Sequence, residues 1–210
     1  MTTLLHVAAS ARGAASISRR VAGELIDALS RDDPALSVVE RDLAAEPPPH
    51  PDAAFVAASL MAEAERGDAE RRALERSERL IAELEASDIV VVSTPMHNFA
   101  APSALKAWID HVVRPGRTFG VTPAGKVGLL TDRPVLAIVA CGGRFENGGA
   151  GQPQVDCLGP YLRYIFGIVG LTNFELLRLE QLRRGPEAVA RSLAAALAWI
   201  EMQRARLAPD

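Results

Sequence analysis

Cysteine is scarce in this chain: Cys141 and Cys157 are the only two among 210 residues. They form neither a Cys-x-x-Cys pair nor a disulfide ladder, so a reduced, cytoplasmic setting is expected. Long apolar runs are also lacking, and none approaches the roughly 18–20 residues a membrane span needs. The N-terminus enters an apolar strand at once, without the basic segment, apolar run and cleavage site of a leader. Neither sign of charge dominates, with 23 Lys and Arg against 26 Asp and Glu and a net charge of −3. That balance offers no basic field for nucleic acid and no polybasic patch for a membrane surface. Two nucleotide signatures are missing as well. Without G-x-x-x-x-G-K-[ST] the usual P-loop NTPase is excluded, and without G-x-G-x-x-G after the first strand a dinucleotide pocket of the Rossmann kind is not expected. Nor does the sequence hold a metal-ligand spacing.

What is present is an alternation of short apolar runs and helical patterns, within a length that one domain over residues 1–210 can use for a single core. Leu4-Leu5-His6-Val7-Ala8-Ala9, Asp88-Ile89-Val90-Val91-Val92-Ser93 and Pro134-Val135-Leu136-Ala137-Ile138-Val139-Ala140-Cys141 are almost wholly apolar. They read as strands covered on both faces. Leu36 to Arg41 and Asn173 to Arg178 interleave polar residues, as edge strands do.

Between them, helical spacing places Val21, Leu25, Ile26 and Leu29 on one face of a helix over 18–30. Leu105, Trp108, Ile109 and Val112 share a face of a helix opened by Pro102. The charged stretch 53–86 divides at Gly67-Asp68, with Leu74, Ile81 and Leu84 inward. A helix over 161–169 is expected, and a last one starts at Gly185-Pro186-Glu187 with Val189, Leu193, Leu197 and Ile200 as its stripe. The stretch 115–132 reads as irregular, and 148–153 as flexible by composition. Three central strands and two edges, with the second and fifth outermost, predict a five-stranded parallel sheet in the order 2-1-3-4-5 with helices on both faces: a flavodoxin-like three-layer α/β sandwich.

Ligands of an open parallel sheet bind beyond the carboxyl ends of its strands. There the first strand runs into Ser10-Ala11-Arg12-Gly13-Ala14-Ala15-Ser16-Ile17-Ser18. Backbone N–H groups at a helix start, with serine hydroxyls beside them, suit a phosphate dianion. A simple helix cap at Ser16 or Ser18 is the plainer alternative for either serine alone. The third strand breaks into Thr94-Pro95-Met96-His97-Asn98-Phe99, because Pro95 lacks an N–H and restricts Thr94. In the 2-1-3 order this loop stands beside the serines. A ligand with a phosphate at one end and a flat ring system at the other could span both, and FMN has that form.

At this point the chain resembles the FMN-dependent NADH-azoreductases, also described as FMN-dependent NADH:quinone oxidoreductases. The resemblance is carried in order by Ser10-x-Arg12-Gly13-x-x-Ser16-x-Ser18-Arg19, Arg41-Asp42-Leu43 and Pro95-Met96-His97-Asn98-Phe99. It continues through Pro102-Ser103-x-Leu105-Lys106-x-Trp108-Ile109-Asp110-His111-Val112, Gly116-Arg117-Thr118-Phe119, Gly128-Leu129-Leu130-Thr131, Gly142-Gly143 and Pro160-Tyr161-Leu162.

It implies a homodimer with one FMN per subunit, active sites at the interface, and ping-pong hydride transfer from NADH or NADPH to quinones and azo compounds. FMN phosphate is then expected on Ser10, Ser16, Ile17 and Ser18. The ring system is expected against Pro95, Met96, His97, Asn98 and Phe99 and against the turn Ala140, Cys141, Gly142 and Gly143. Phe119 matches an aromatic that reaches toward the partner's pocket. No catalytic side chain is implied, because the hydride chemistry belongs to the cofactor.

The chain departs from the family pattern in three places. His97 replaces a usual tyrosine, Ala140-Cys141 replaces Ser-Arg, and Ile165 replaces a common phenylalanine. His97 is open to two readings, a residue that orients substrate or one that only lines the pocket. His6 and His111 read as structural, and Cys141 as a small buried hydrophobe. A flavodoxin-like electron carrier and a flavin-based redox sensor without turnover are the rival functions.

Overall fold

The computed structural model describes residues 1–145 and 154–208, so the expectation of flexibility at 148–153 lies outside the described residues. Five parallel strands form the central sheet: β1 (Thr3–Ala8), β2 (Ser37–Asp42), β3 (Ile89–Pro95), β6 (Val135–Ala140) and β7 (Phe174–Leu179). The order across it is β2-β1-β3-β6-β7: the five expected strands keep their expected neighbours, but the numbering 2-1-3-4-5 becomes 2-1-3-6-7 because two further strands precede the fourth. The stretch read as irregular supplies two strands of its own, β4 (Phe119–Thr122) and β5 (Gly125–Gly128), paired as an antiparallel hairpin apart from the sheet. Three glycines and a Pro123-Ala124 connection hid strands of only four residues each.

The apolar runs are continuous because each central strand is buried on both sides. Leu5 and Val7 of β1, Val90 and Val92 of β3, and Val135, Ala137 and Val139 of β6 face one core. Helices α3 (Asp68–Glu85), α4 (Ser103–Val112) and α5 (Leu158–Ile168) close it with Leu80, Ile81, Leu84, Leu105, Trp108, Leu162 and Phe166. The alternate residues Leu4, Ile89, Val91, Leu136 and Ile138 face the other core. There α1 (Ile17–Asp32) and α6 (Pro186–Leu207) bring Val21, Leu25, Leu29, Ala196, Trp199 and Ile200. Helix α2 (Ala53–Leu60) packs Phe55 and Ala58 on Leu74 of α3.

Two local expectations need correction. On α6, Leu197 is 57% exposed, and the inward face runs instead through Ala188, Ala196, Trp199, Ile200 and Gln203. Residues spaced by four advance about 40° per step around an α-helix, so the 189-193-197 row drifts off the buried side. The second concerns β3, which continues through Pro95 instead of stopping at Ser93. Ser93 turns its carbonyl toward β1, where the Ala9 N–H donates to it at 2.9 Å, while Met96 N–H donates to Ala140 O on the β6 side at 2.9 Å. Pro95 therefore turns its missing donor toward β1, which has already left the sheet. The lost N–H costs no ladder bond.

Candidate active site at the carboxyl ends of the strands

Connections leave β1 and β3 in opposite directions, and the crevice between their carboxyl ends is the switch point of the sheet. A groove of about 170 Å³ opens there, lined by Ser10, Arg12, Ser16, Ile17, Pro95, Met96, His97, Ala140, Cys141, Gly142, Leu182 and Arg183. Four segments, from Ser10 to Arg183 along the chain, thus converge in one place.

The first wall is the turn from β1 into α1. Ser16 is the N-cap of α1, its Oγ accepting from Arg19 N–H at 3.4 Å and lying 3.1 Å from Ser18 Oγ. The capping alternative is therefore correct for Ser16, but it uses only one of the free donors of the first turn. Arg20 N–H bonds Ser16 O at 3.0 Å, and the N–H groups of Ile17 and Ser18 stand ahead of it at the positive end of the helix. Ser10 and Ser16 are buried, and Ser18 lies fully buried behind Ser16 rather than in the lining.

Arg19 holds this turn in place. Its Nε donates to Ser10 O at 3.2 Å while its Nη2 is paired with Asp42 at the end of β2. The Arg19 guanidinium, with Ala44 and Ala45 N–H groups, holds the Asp42 carboxyl down at about 2 from its ordinary 3.8. A carboxyl lowered in the fold stabilises it fully above the ordinary value and loses that contribution as the pH falls toward the lowered one. Acid unfolding is thus expected to steepen between about pH 4 and about pH 2, and Asp42→Asn should flatten that limb in a circular-dichroism titration. An unchanged acid limb in Asp42→Asn would rule out this anchor.

Behind the same turn, His6 is buried, with Nδ1 at 2.7 Å from Glu40 Oε2 and Nε2 at 2.9 Å from Ser93 Oγ. Although serine, histidine and glutamate stand in line, Ser93 is 0% exposed, so no substrate reaches it. His111 is likewise structural. It is 2% exposed, packs edge-on against Phe55 and bonds Pro49 O through Nε2 at 2.9 Å, and burial holds its pKa below the ordinary value.

The second wall is the end of β3. His97 and Ala100 exchange backbone hydrogen bonds at 3.0 and 2.9 Å across Asn98 (φ 47°) and Phe99 (φ 68°). Both central residues are left-handed, the geometry of the mirror-image tight turn that glycine and asparagine favour. A phenylalanine there carries roughly 1–2 kcal/mol of strain. The turn presents Met96 and exposed His97 to the groove, whereas Asn98 and Phe99 form its back, with Phe99 edge-on to Phe145 at 6.4 Å.

The third wall is the end of β6, where Ala140, Cys141 and Gly142 line the groove and Gly143 lies just beyond. Cys141 is 1% exposed, and burial pushes its thiol up to about 12. One thiol, that of exposed Cys157, is therefore expected to react with a disulfide reagent in the native protein, against two after denaturation. Two rapidly reacting thiols in the native state would contradict the burial.

Three lining residues escaped the sequence reading as site residues. Arg12 lies inside the serine segment. Leu182 and Arg183 follow β7, and the position of that loop beyond a strand's carboxyl end was the available signal. The loop is tied to the third wall by Gln181 N–H to Gly143 O at 2.7 Å and Leu182 N–H to Cys141 O at 3.1 Å. Phe119 is outside the groove, at the base of the hairpin, 8% exposed and covered by Lys126 Nζ at 5.0 Å from its ring centre.

A family model described as a flavodoxin-like fold matches residues 2–203. The FMN-dependent NADH:quinone oxidoreductase 2 of Cupriavidus pinatubonensis is 55% identical over 199 residues, 95% of this chain and 96% of that protein. The FMN-dependent NADH:quinone oxidoreductase of Ralstonia nicotianae is 42% identical over 194 residues, 92% of each chain. Among solved structures, an azoreductase from Bacillus anthracis superposes with a TM-score of 0.87 at 26% identity, covering 99% of this chain and all of that one. With its sheet order, its groove and these likenesses over almost its whole length, the chain belongs to the flavodoxin-like family of FMN-dependent NADH:quinone oxidoreductases.

Proposed function

We propose that this protein is an FMN-dependent oxidoreductase that uses NADH to reduce quinones by two-electron hydride transfer, with reductive cleavage of aromatic azo compounds to amines as a related activity. The carrying observation is the convergence, in one groove, of a helix-start phosphate cradle with two backbone turns able to hold a flat ring. Ser10, Ser16, Ile17 and Ser18 are the residues for the phosphate, with Arg12 beside them. Pro95, Met96, His97, Asn98 and Phe99, with Ala140, Cys141, Gly142 and Gly143, frame the ring system. The donors and the shape of these residues fit FMN.

When bound, FMN supplies the chemistry by accepting hydride from the nicotinamide and yielding it to the acceptor. The chain's own part is binding and orientation. The cradle fixes one end of the cofactor. The strained turn at 98–99 holds the Met96 and His97 backbone at a set depth, and Gly142 lets backbone approach a ring closely. His97 bears on which acceptor is oriented there, and Ile165, partly buried against the core, retains an apolar wall.

The groove is smaller than a pocket that encloses a drug-sized ligand, usually 300–1,000 Å³. A second copy of the chain would cover its open side, in keeping with the homodimer expected from the sequence. Exposed Val121, Val127 and Leu129 around the β4–β5 hairpin supply apolar surface for that contact, and they bring Phe119 with them. No described helix is long and apolar enough to cross a membrane. A single cytoplasmic domain with small-molecule substrates agrees with this reading.

Steady-state kinetics test it. With NADH varied at several quinone concentrations, parallel double-reciprocal lines are expected, with NADPH and azo compounds as further substrates to compare. Absence of turnover with every pair of donor and acceptor would overturn the proposal.

A further inference from the structure

Charge is distributed unevenly around the groove. The chain carries a net charge of −3, yet the lining holds two arginines and no carboxylate. Arg12 and Arg183 make no ion pair among the described residues, although the molecule is rich in Arg–carboxylate pairs elsewhere. They stand at opposite ends. Arg12 belongs to the loop after β1, whereas Arg183 follows β7, three strands away in the sheet order, roughly 14 Å at the usual strand spacing.

The Arg183 arm lies against the glycine turn of the third wall. A Cβ placed on Gly142 would sit 3.2 Å from Arg183 Cδ and 3.6 Å from its Nε. The arm is anchored at its base by the hydrogen bonds of Gln181 and Leu182 to the turn and by the left-handed Gln181, φ 59°. An arginine with no ion partner among the described residues thus lies along the turn at the ring end of the groove, away from the phosphate end.

We propose that Arg183 sets the redox potential of the bound cofactor by favouring its reduced form. The inference rests on the FMN reading above. Hydride delivery converts NADH to NAD⁺ and adds two electrons and one proton to FMN, so the product bears one more negative charge than the oxidised cofactor until a second proton arrives. That charge resides on the ring system, whereas the phosphate charge is the same in both forms. A cation at the ring end therefore distinguishes the two redox forms, and a cation at the phosphate end does not. Arg183 is exposed, so solvent and salt weaken its effect without abolishing it.

The test compares the midpoint potential of bound FMN, measured by equilibration with a reference dye, in the native holoprotein and in Arg183→Gln, Arg183→Lys and Arg12→Gln. Arg183→Gln is expected to weaken reduced FMN about tenfold relative to oxidised FMN, which for a two-electron couple lowers the potential by about 30 mV. Arg183→Lys should retain most of the native potential, and the difference should shrink as salt is raised. Arg12→Gln should weaken both forms alike and leave the potential in place. An unshifted potential in Arg183→Gln that still binds FMN overturns the role of Arg183 alone. An equal shift in Arg12→Gln overturns it too, since the effect would then be one of general groove charge. If the native chain binds no FMN, the cofactor reading fails and this inference with it.

Discussion

Replacing Ser16 and Ser18 together with alanine is expected to weaken FMN binding about 100-fold while leaving riboflavin binding unchanged. A hydrogen bond to a charged group contributes roughly 1.5–3 kcal/mol, and Ser18, buried 3.1 Å behind Ser16, acts by orienting the Ser16 hydroxyl, so the two losses overlap rather than add in full. About 3 kcal/mol remains, or two decades in Kd. Riboflavin lacks the phosphate and gains nothing from the cradle, so isothermal titration with both flavins isolates the contribution.

Helix capping is the competing role, because Ser16 Oγ also accepts from Arg19 N–H. Its loss alone costs about 1 kcal/mol of stability. Ser16→Asp separates the two roles. Aspartate caps a helix as well as serine does, but its charge repels a phosphate. Melting temperature should hold while FMN affinity falls. Retained FMN affinity in Ser16→Asp or in the double alanine variant would refute the cradle.

Gly128→Ala is expected to destabilise the fold by about 3 kcal/mol, at the upper end for overpacking, without touching the groove. A Cβ at Gly128 would lie 2.2 Å from Gly170 N and 2.3 Å from Gly170 Cα. Both obstacles are backbone, so no rotamer change relieves them. Gly170 itself is left-handed at φ 103° and has Leu130 O only 2.6 Å from its own absent Cβ. The pair allows the end of β5 to cross the end of α5, a crossing fixed by Leu130 N–H to Val169 O at 3.0 Å.

For a chain of this size the penalty corresponds to a fall of roughly 6–12 °C in melting temperature. Apolar hairpin residues would shift with the strand, so the variant should also weaken the homodimer proposed above. A native melting temperature in Gly128→Ala would show that the hairpin can move aside at little cost.

What could be read from the residues, and what could not, follows physical lines. The β-branched runs at 89–92 and 135–139 announced strands buried on both faces because no polar residue interrupts them. The interleaved polar residues of β2 and β7 marked the edges for the same reason. Ser10 and Ser16 were legible as groove residues because they lie between a strand's carboxyl end and a helix start, whereas Ser18 is buried behind Ser16.

Pro95 misled because its missing donor matters only if the neighbouring strand is still there to accept from, and that is a fact of the sheet. The four-residue strands of the hairpin carried too little periodicity to separate from a glycine-rich loop. Arg183 stayed hidden because its contact with Gly142 joins two loops some 40 residues apart. Its place beyond a strand's carboxyl end was a signal, but local sequence does not say which turn the side chain lies against.

The most direct test of the whole account is an anaerobic single turnover. Native protein reconstituted with FMN should lose its yellow colour rapidly on addition of one equivalent of NADH and regain it when one equivalent of a quinone follows. A holoprotein that stays yellow with both NADH and NADPH, or that bleaches and is not reoxidised by quinone, would contradict it.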